Sequence, residues 1–262
     1  MPVKTFSLSE RPKHPGICIY GVGGSGKTTI LETMPGPGIL IDIPQLEGGA
    51  YVISDQADRI HGVKCEEWSD VDDIYWALAK KDTNELPYIE EIKWVAIDSI
   101  TAMEQLAKHK VINERDRDLG EDPHKITMQE YGQIGQLTGA LIYKFRRLPY
   151  TTIFLAQERL HGSEDDPGPK RLGPDVIRSS LSALLPSLSF VGRLGVESYG
   201  DNKERRILRL GPSDGEWFVK KRTPKGKPLP RLIRNPNLGE IFRYLYGNGK
   251  APRAAKDAES IL

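Results

Sequence analysis

Apolar runs of strand length recur along the first 160 residues, and segments with a helical period separate them. Residues 17–20, 38–43, 93–98 and 151–157 read as near-continuous strands, with a shorter one at 61–65. Between them, 28–33 starts a helix, and 71–80 and 100–113 carry helical patterns. Unbroken apolar strands alternating with helices predict an α/β fold with a mostly parallel sheet flanked by helices. The longest helix is expected over 127–148, where Tyr131, Ile134, Leu137, Leu141, Phe145 and Leu148 form one apolar stripe and Pro149 ends the run. A further helix is expected over 176–185.

After about residue 188 the texture changes. Shorter, alternating segments at 189–197, 205–210 and 216–219 suggest antiparallel strands added in the C-terminal third, and 238–246 a closing helix. The charged stretch 116–125 and the Gly-, Pro- and Asp-rich stretch 159–174 read as loops. No internal repeat is visible. One domain over 1–247 with a flexible tail over 248–262 is the expected organisation.

The first apolar run leads directly into a phosphate loop. Residues 21–28 read Gly-Val-Gly-Gly-Ser-Gly-Lys-Thr, the complete G-x-x-x-x-G-K-[ST] pattern. Gly21, Gly23, Gly24 and Gly26, with Val22, Ser25 and Thr29, would turn successive N–H groups toward one anion. Lys27 would reach the β- and γ-phosphates, and the Thr28 hydroxyl would join the shell of Mg2+. The helix starting near Lys27 would add the positive end of its dipole. A nucleoside triphosphate, ATP with Mg2+, is the expected ligand.

A metal-side carboxylate should follow at the end of a buried strand. Asp98, closing the run Trp-Val-Ala-Ile and followed by Ser99, fits that place. It lies 71 residues after Lys27, room for two intervening strand–helix units. A general base is less plainly marked: Glu47 is the first candidate and Asp42 the poorer one. Gln157, ending the strand at 151–157, would sit beside the acid strand and sense the γ-phosphate. The late segment Trp217 to Lys227 is an aromatic strand running into a basic tip, whose Lys220 and Arg222 would stabilise charge on a neighbouring subunit's γ-phosphate. A DNA-backbone contact and a solvated hairpin are the other readings of that tip.

Composition excludes some classes and colours others. No apolar stretch approaches the roughly 20 residues that cross a bilayer, and no signal-peptide apolar region is visible at the N-terminus. Two cysteines, Cys18 and Cys65, make neither a disulfide framework nor a zinc site, so a reducing cytosol is expected. The formal net charge of +1 hides an asymmetry: residues 201–262 hold 15 Lys/Arg against 7 Asp/Glu. A basic C-terminal third suits a polyanion or a neighbouring subunit's phosphates.

Taken together, Gly21–Thr28, Trp94–Ser99, the block from Gln129-Glu130-Tyr131-Gly132 through Arg146-Arg147-Leu148-Pro149 to Phe154–Glu158, and Phe218–Arg222 resemble the phage RecA-like ATPases that act as single-strand DNA annealing recombinases. The resemblance covers roughly residues 14–245. It implies a RecA-like P-loop NTPase core that oligomerises as a ring or filament with ATP at subunit interfaces, works in the bacterial host cytoplasm and binds single-stranded DNA. A single-strand binding protein is a further implied partner, and no membrane is. On this sequence the DNA loops would be 116–125 and 159–174, with Arg159, Lys170 and Arg171 as their cations among Glu164, Asp165 and Asp166. The pattern departs from the family at the glutamate position, where Pro44 intervenes. A hexameric helicase or helicase-loader ATPase is the alternative. A small-molecule kinase is disfavoured because no Arg-rich lid follows the core.

Overall fold

The computed structural model describes residues 14–44, 49–56, 58–114, 125–162, 170–200, 203–211 and 217–252. Glu47, most of the 116–125 loop, the middle of 159–174 and the end of the tail lie outside them. The first strand, β1 (Gly16–Gly21), is buried along its whole length. It is followed by β2 (Gly38–Asp42), β3 (Ile60–Lys64), helix α1 (Trp68–Lys80), β4 (Trp94–Asp98), α2 (Ile100–Glu114), α3 (Met128–Arg147), β5 (Thr151–His161), β6 (Arg171–Pro174) and α4 (Arg178–Ser187). The C-terminal part adds β7 (Phe190–Tyr199), β8 (Lys203–Arg209), β9 (Lys220–Lys221), β10 (Leu232–Arg234) and α5 (Leu238–Tyr246).

The sheet runs β10-β8-β7-β1-β5-β4-β2-β3. Strand β5 lies between the loop strand β1 and the acid strand β4, parallel to both. The expected α/β architecture is therefore present, with antiparallel strands late in the chain. One expectation is corrected: β7 is parallel to its neighbour β1, and the antiparallel ribbon of the C-terminal third starts with its pairing to β8.

The period-two alternation of the strands feeds two cores. Cys18 and Tyr20 of β1, Ile39 and Ile41 of β2, and Phe154 and Ala156 of β5 face one side, where buried residues of α1 to α4 cover them. Ile17, Ile19, Leu40, Ile153 and Leu155 face the other, against Ile30, Leu31 and the apolar side of α5. Both ends of β1 are closely abutted. A Cβ on Gly16 would lie 2.2 Å from Nε of Arg146, and one on Gly21 2.2 Å from the Leu194 carbonyl oxygen.

Helix α3 starts on a reciprocal capping box between Thr127 and Glu130 and stops before Pro149. Its stripe is buried at Ile134, Leu141 and Phe145, whereas Tyr131 is exposed rather than part of it. The helix expected after the phosphate loop is a single 3₁₀ turn, Thr29–Thr33. Pro35, Gly36, Pro37 and Gly38 follow at once and prevent continuation. Little helix dipole is thus available to the loop. The stretch 159–174 is not wholly a loop either: β5 continues to His161 and pairs antiparallel with β6, Glu158 opposite Pro174 and His161 opposite Arg171. The strand expected at 216–219 is, among the described residues, an isolated bridge from Trp217 to Leu172, and the ladder comes later, at β9. No helix among the described residues is long and apolar enough to cross a membrane.

Candidate functional site

The phosphate loop leaves β1 at Gly21 and turns through Gly24 and Gly26, whose φ values of +76° and +87° belong to the left-handed region open to glycine. Lys27 folds back over this turn. Its Nζ donates to the carbonyls of Gly21 and Val22, both at 2.9 Å, and to Oε1 of Gln157 at 3.3 Å. Burial lowers the Lys27 pKa from its ordinary value, against the opposing charges of Asp98 and Glu158. The Ser25 hydroxyl is buried and has no hydrogen-bond partner among the described residues.

Asp98 closes β4 directly across from Asp42, which closes β2 in the same register. The Thr28 hydroxyl donates to Oδ2 of Asp98 at 2.5 Å. Burial pushes the Asp98 carboxyl up; the Thr28 hydrogen bond and the Lys27 charge pull it down, and Asp42 adds to the rise. Asp42 is raised too, again first by burial, although the Gly49 and Ala50 amides hydrogen-bond it. The segment at Gly49 closes over the pair, since a Cβ there would lie 3.2 Å from Oγ1 of Thr28. These groups and Gln157 line one cavity of about 390 Å³.

This is a loop of turned amides, a desolvated ammonium and an orphaned hydroxyl on one side, with oxygen donors on the other. Polyphosphate suits the first half. The hydroxyl of Thr28 and the carboxylates of Asp98 and Asp42 are hard donors of the kind Mg2+ takes. Both expected ligands fit the residues present.

Gln157 is held on three sides. Its backbone N–H donates to Thr101 Oγ1 at 3.1 Å, its backbone carbonyl accepts from the Asp175 amide at 2.8 Å, and its side-chain oxygen accepts from Lys27. The next residue, Glu158, is paired in the interior with Arg193 through Nε and Nη2. Sequence reasoning passed over both Arg193 and the register that puts Asp42 beside Asp98; neither position carries a motif.

The structure thus brings Lys27, Thr28, Asp98 and Gln157 together. Asp42, the poorer base candidate, also lines the cavity, whereas Lys220, Arg222, Arg159, Lys170 and Arg171 do not, and Glu47 lies outside the described residues. Lys220 Nζ donates to the Leu185 carbonyl, and burial lowers its pKa, with Arg222 adding to the fall. Arg222 is exposed, its backbone amide bonded to Ser189. Arg159 makes a long ion pair, 3.7 Å, with Asp175. Arg171 lies over the Phe218 ring at 5.7 Å, and Lys170 is exposed just before β6, at the turn end of the β5–β6 hairpin.

A buried carboxylate links this hairpin to the helical layer. Glu104 of α2 accepts the Ile177 amide at 2.8 Å through Oε2, while Oε1 is buried without a hydrogen-bond partner among the described residues. Burial pushes its pKa up; the nearby Ser180 hydroxyl and the Ile177 amide oppose the rise, as does the charge of Arg159, whereas Asp175 adds to it. A folded-state pKa above the unfolded value means that this group favours folding at low pH, and the contribution is lost as pH rises through the folded value. Glu104→Gln keeps an acceptor for Ile177 without the buried charge. Thermal unfolding across pH 3–8 should show the variant equal to the parent at the acid end and more stable near neutrality. A variant less stable at pH 7 than at pH 4, relative to the parent, would refute this.

A family model described as an AAA domain matches residues 13–223. No match was found among curated proteins.

Proposed function

The chain belongs to the AAA domain family, an ATPase-like class of phosphate-loop domains, and from that footing we propose an oligomeric ATPase that grips single-stranded DNA and promotes annealing or strand exchange in phage recombination. ATP and Mg2+ are its cofactors. Lys27 and the loop amides hold the phosphates, and Thr28 and Asp98 hold the metal ion, which when bound neutralises charge on the phosphates. Glu47 or Asp42 would direct the attacking water. Lys220 and Arg222 act across a subunit interface, in a host-cell cytoplasm, and self-association is part of the working state.

One observation supports the coupling of nucleotide to DNA above the others. Gln157, in contact with Lys27 at 3.3 Å, belongs to the same unbroken strand as Arg159. That strand pairs with the one carrying Arg171, next to Lys170. A change at the γ-phosphate would move a side chain that is continuous with a cationic hairpin, so the two ligands would bias one element.

Filter binding of a labelled oligonucleotide tests the reading. Affinity for single strands should fall steeply with salt and rise several-fold when MgATP is present. No binding at low salt with MgATP would end it. Unwinding of duplex with a fixed direction would move the protein to the motor class.

A further inference from the structure

One more cation faces the phosphate loop, and it comes from the antiparallel ribbon rather than from the loop's own neighbourhood. Strand β8 carries Arg205 and Arg206 in succession, so their side chains leave opposite faces. Arg205 is committed on its face: Nε donates to Glu197 at 2.7 Å, and the guanidinium lies 4.6 Å over Tyr199. Arg234 of β10 shares Glu197, Arg209 lies over Trp217, and Arg193 is paired with Glu158. Arg206 has no ion pair or side-chain hydrogen bond among the described residues.

Its position is nevertheless fixed. The backbone stands opposite Val196 of β7, and its carbonyl accepts the Asn235 amide at 2.8 Å, so the ribbon holds it from both sides. The side chain lies against the loop: a Cβ on Gly26 would sit 2.2 Å from Nε and 2.6 Å from Cζ. Arg206 lines the 390 Å³ cavity that holds Lys27 and Asp98. It also lines a second cavity, of about 540 Å³, between the 3₁₀ turn and the ribbon. The two meet at Gly24, Thr29 and Arg206.

We infer that Arg206 is a phosphate clamp acting within its own subunit: its guanidinium binds the polyphosphate where it leaves the loop, with the nucleoside directed into the second cavity. The inference rests on the phosphate-loop reading above and extends it. An arginine suits the place because its planar fork engages two phosphate oxygens at once. The loop has little helix dipole behind it, so a fixed cation from β8 supplies charge that a longer helix would have supplied in part.

Calorimetric titration of the full chain with MgATP, and competition by magnesium tripolyphosphate, test this in Arg206→Gln and Arg206→Lys. Arg206→Gln should weaken both ligands roughly tenfold or more, the loss of a charge-assisted contact. Arg206→Lys, which keeps the charge without the fork, should recover part of that. Melting temperatures should stay close to the parent's, because the side chain is exposed and makes no ion pair or hydrogen bond among the described residues. Unchanged MgATP affinity in Arg206→Gln, beside a parent that binds normally, overturns the clamp alone. So does weakened MgATP with unchanged tripolyphosphate, which would place the contact on the nucleoside. A parent chain that binds no MgATP overturns the phosphate-loop reading beneath it.

Discussion

Lys27→Met loses MgATP binding by roughly 100-fold or more and melts no lower than the parent. The binding loss follows from the charge-assisted contacts that one ammonium makes to polyphosphate, together worth about 3 kcal/mol. The second half of the expectation comes from the surroundings of the side chain. Burial holds the Lys27 pKa below its ordinary value, so the folded chain bears a cost for keeping an ammonium there. Methionine fills the same volume without that cost, although the Gly21 and Val22 carbonyls give up a donor. Paired calorimetric titration and thermal melts check both halves. Undiminished affinity would remove Lys27 from the phosphate site, and a collapsed melt would make it a structural residue.

Asp98→Asn comes next in size, with turnover lowered about 100-fold or more while ATP binding without metal is spared. Asparagine retains an oxygen acceptor for the Thr28 hydroxyl, now 2.5 Å from Oδ2. What it removes is one of two half-buried carboxylates that stand opposite each other on β2 and β4. The metal therefore loses an anionic ligand. A rise in the Mg2+ concentration needed for half-maximal turnover is the accompanying sign. Turnover that is unaffected at limiting Mg2+ would move the metal to Asp42 and the Gly49 segment.

Much of the fold is legible in the sequence alone, and the exceptions have physical causes. The buried strands were plain because a parallel sheet covered on both faces needs unbroken apolar runs. Helix α5 was plain because its apolar face repeats at helical spacing up to Gly247. Strand β7 was misread in direction for a reason visible in its composition. Its first half, Phe190–Leu194, lies beside β1 and is buried on both faces apart from Arg193, whereas its second half leaves the core and pairs only with β8. One strand thus carries two textures, and the exposed half dominates the pattern. The β5–β6 hairpin escaped notice because it extends past the core, where the cross-strand pair Leu160 and Leu172 stands isolated among charged residues and hydrophobic periodicity is silent. Backbone pairing, with the Tyr20 hydroxyl donating to the Leu172 carbonyl at 3.2 Å, shapes it instead. Lys27, Thr28, Asp98 and Gln157 were found from motif and strand ends. Arg206 had no such signal, since only the return of β8 beside β7 brings it to the loop.

The tight approaches at the two ends of β1 carry a further meaning for how the chain finds its alignment. Both sides of that strand are greasy, so sliding it by one place would expose nothing to water, and the usual penalty for misthreading is missing. Gly16 beneath Arg146 and Gly21 beneath the Leu194 carbonyl act as end stops: a slip in either direction drives a bulky side chain into one of them. The anchor point of the nucleotide loop is thereby set by two residues that have no side chain at all.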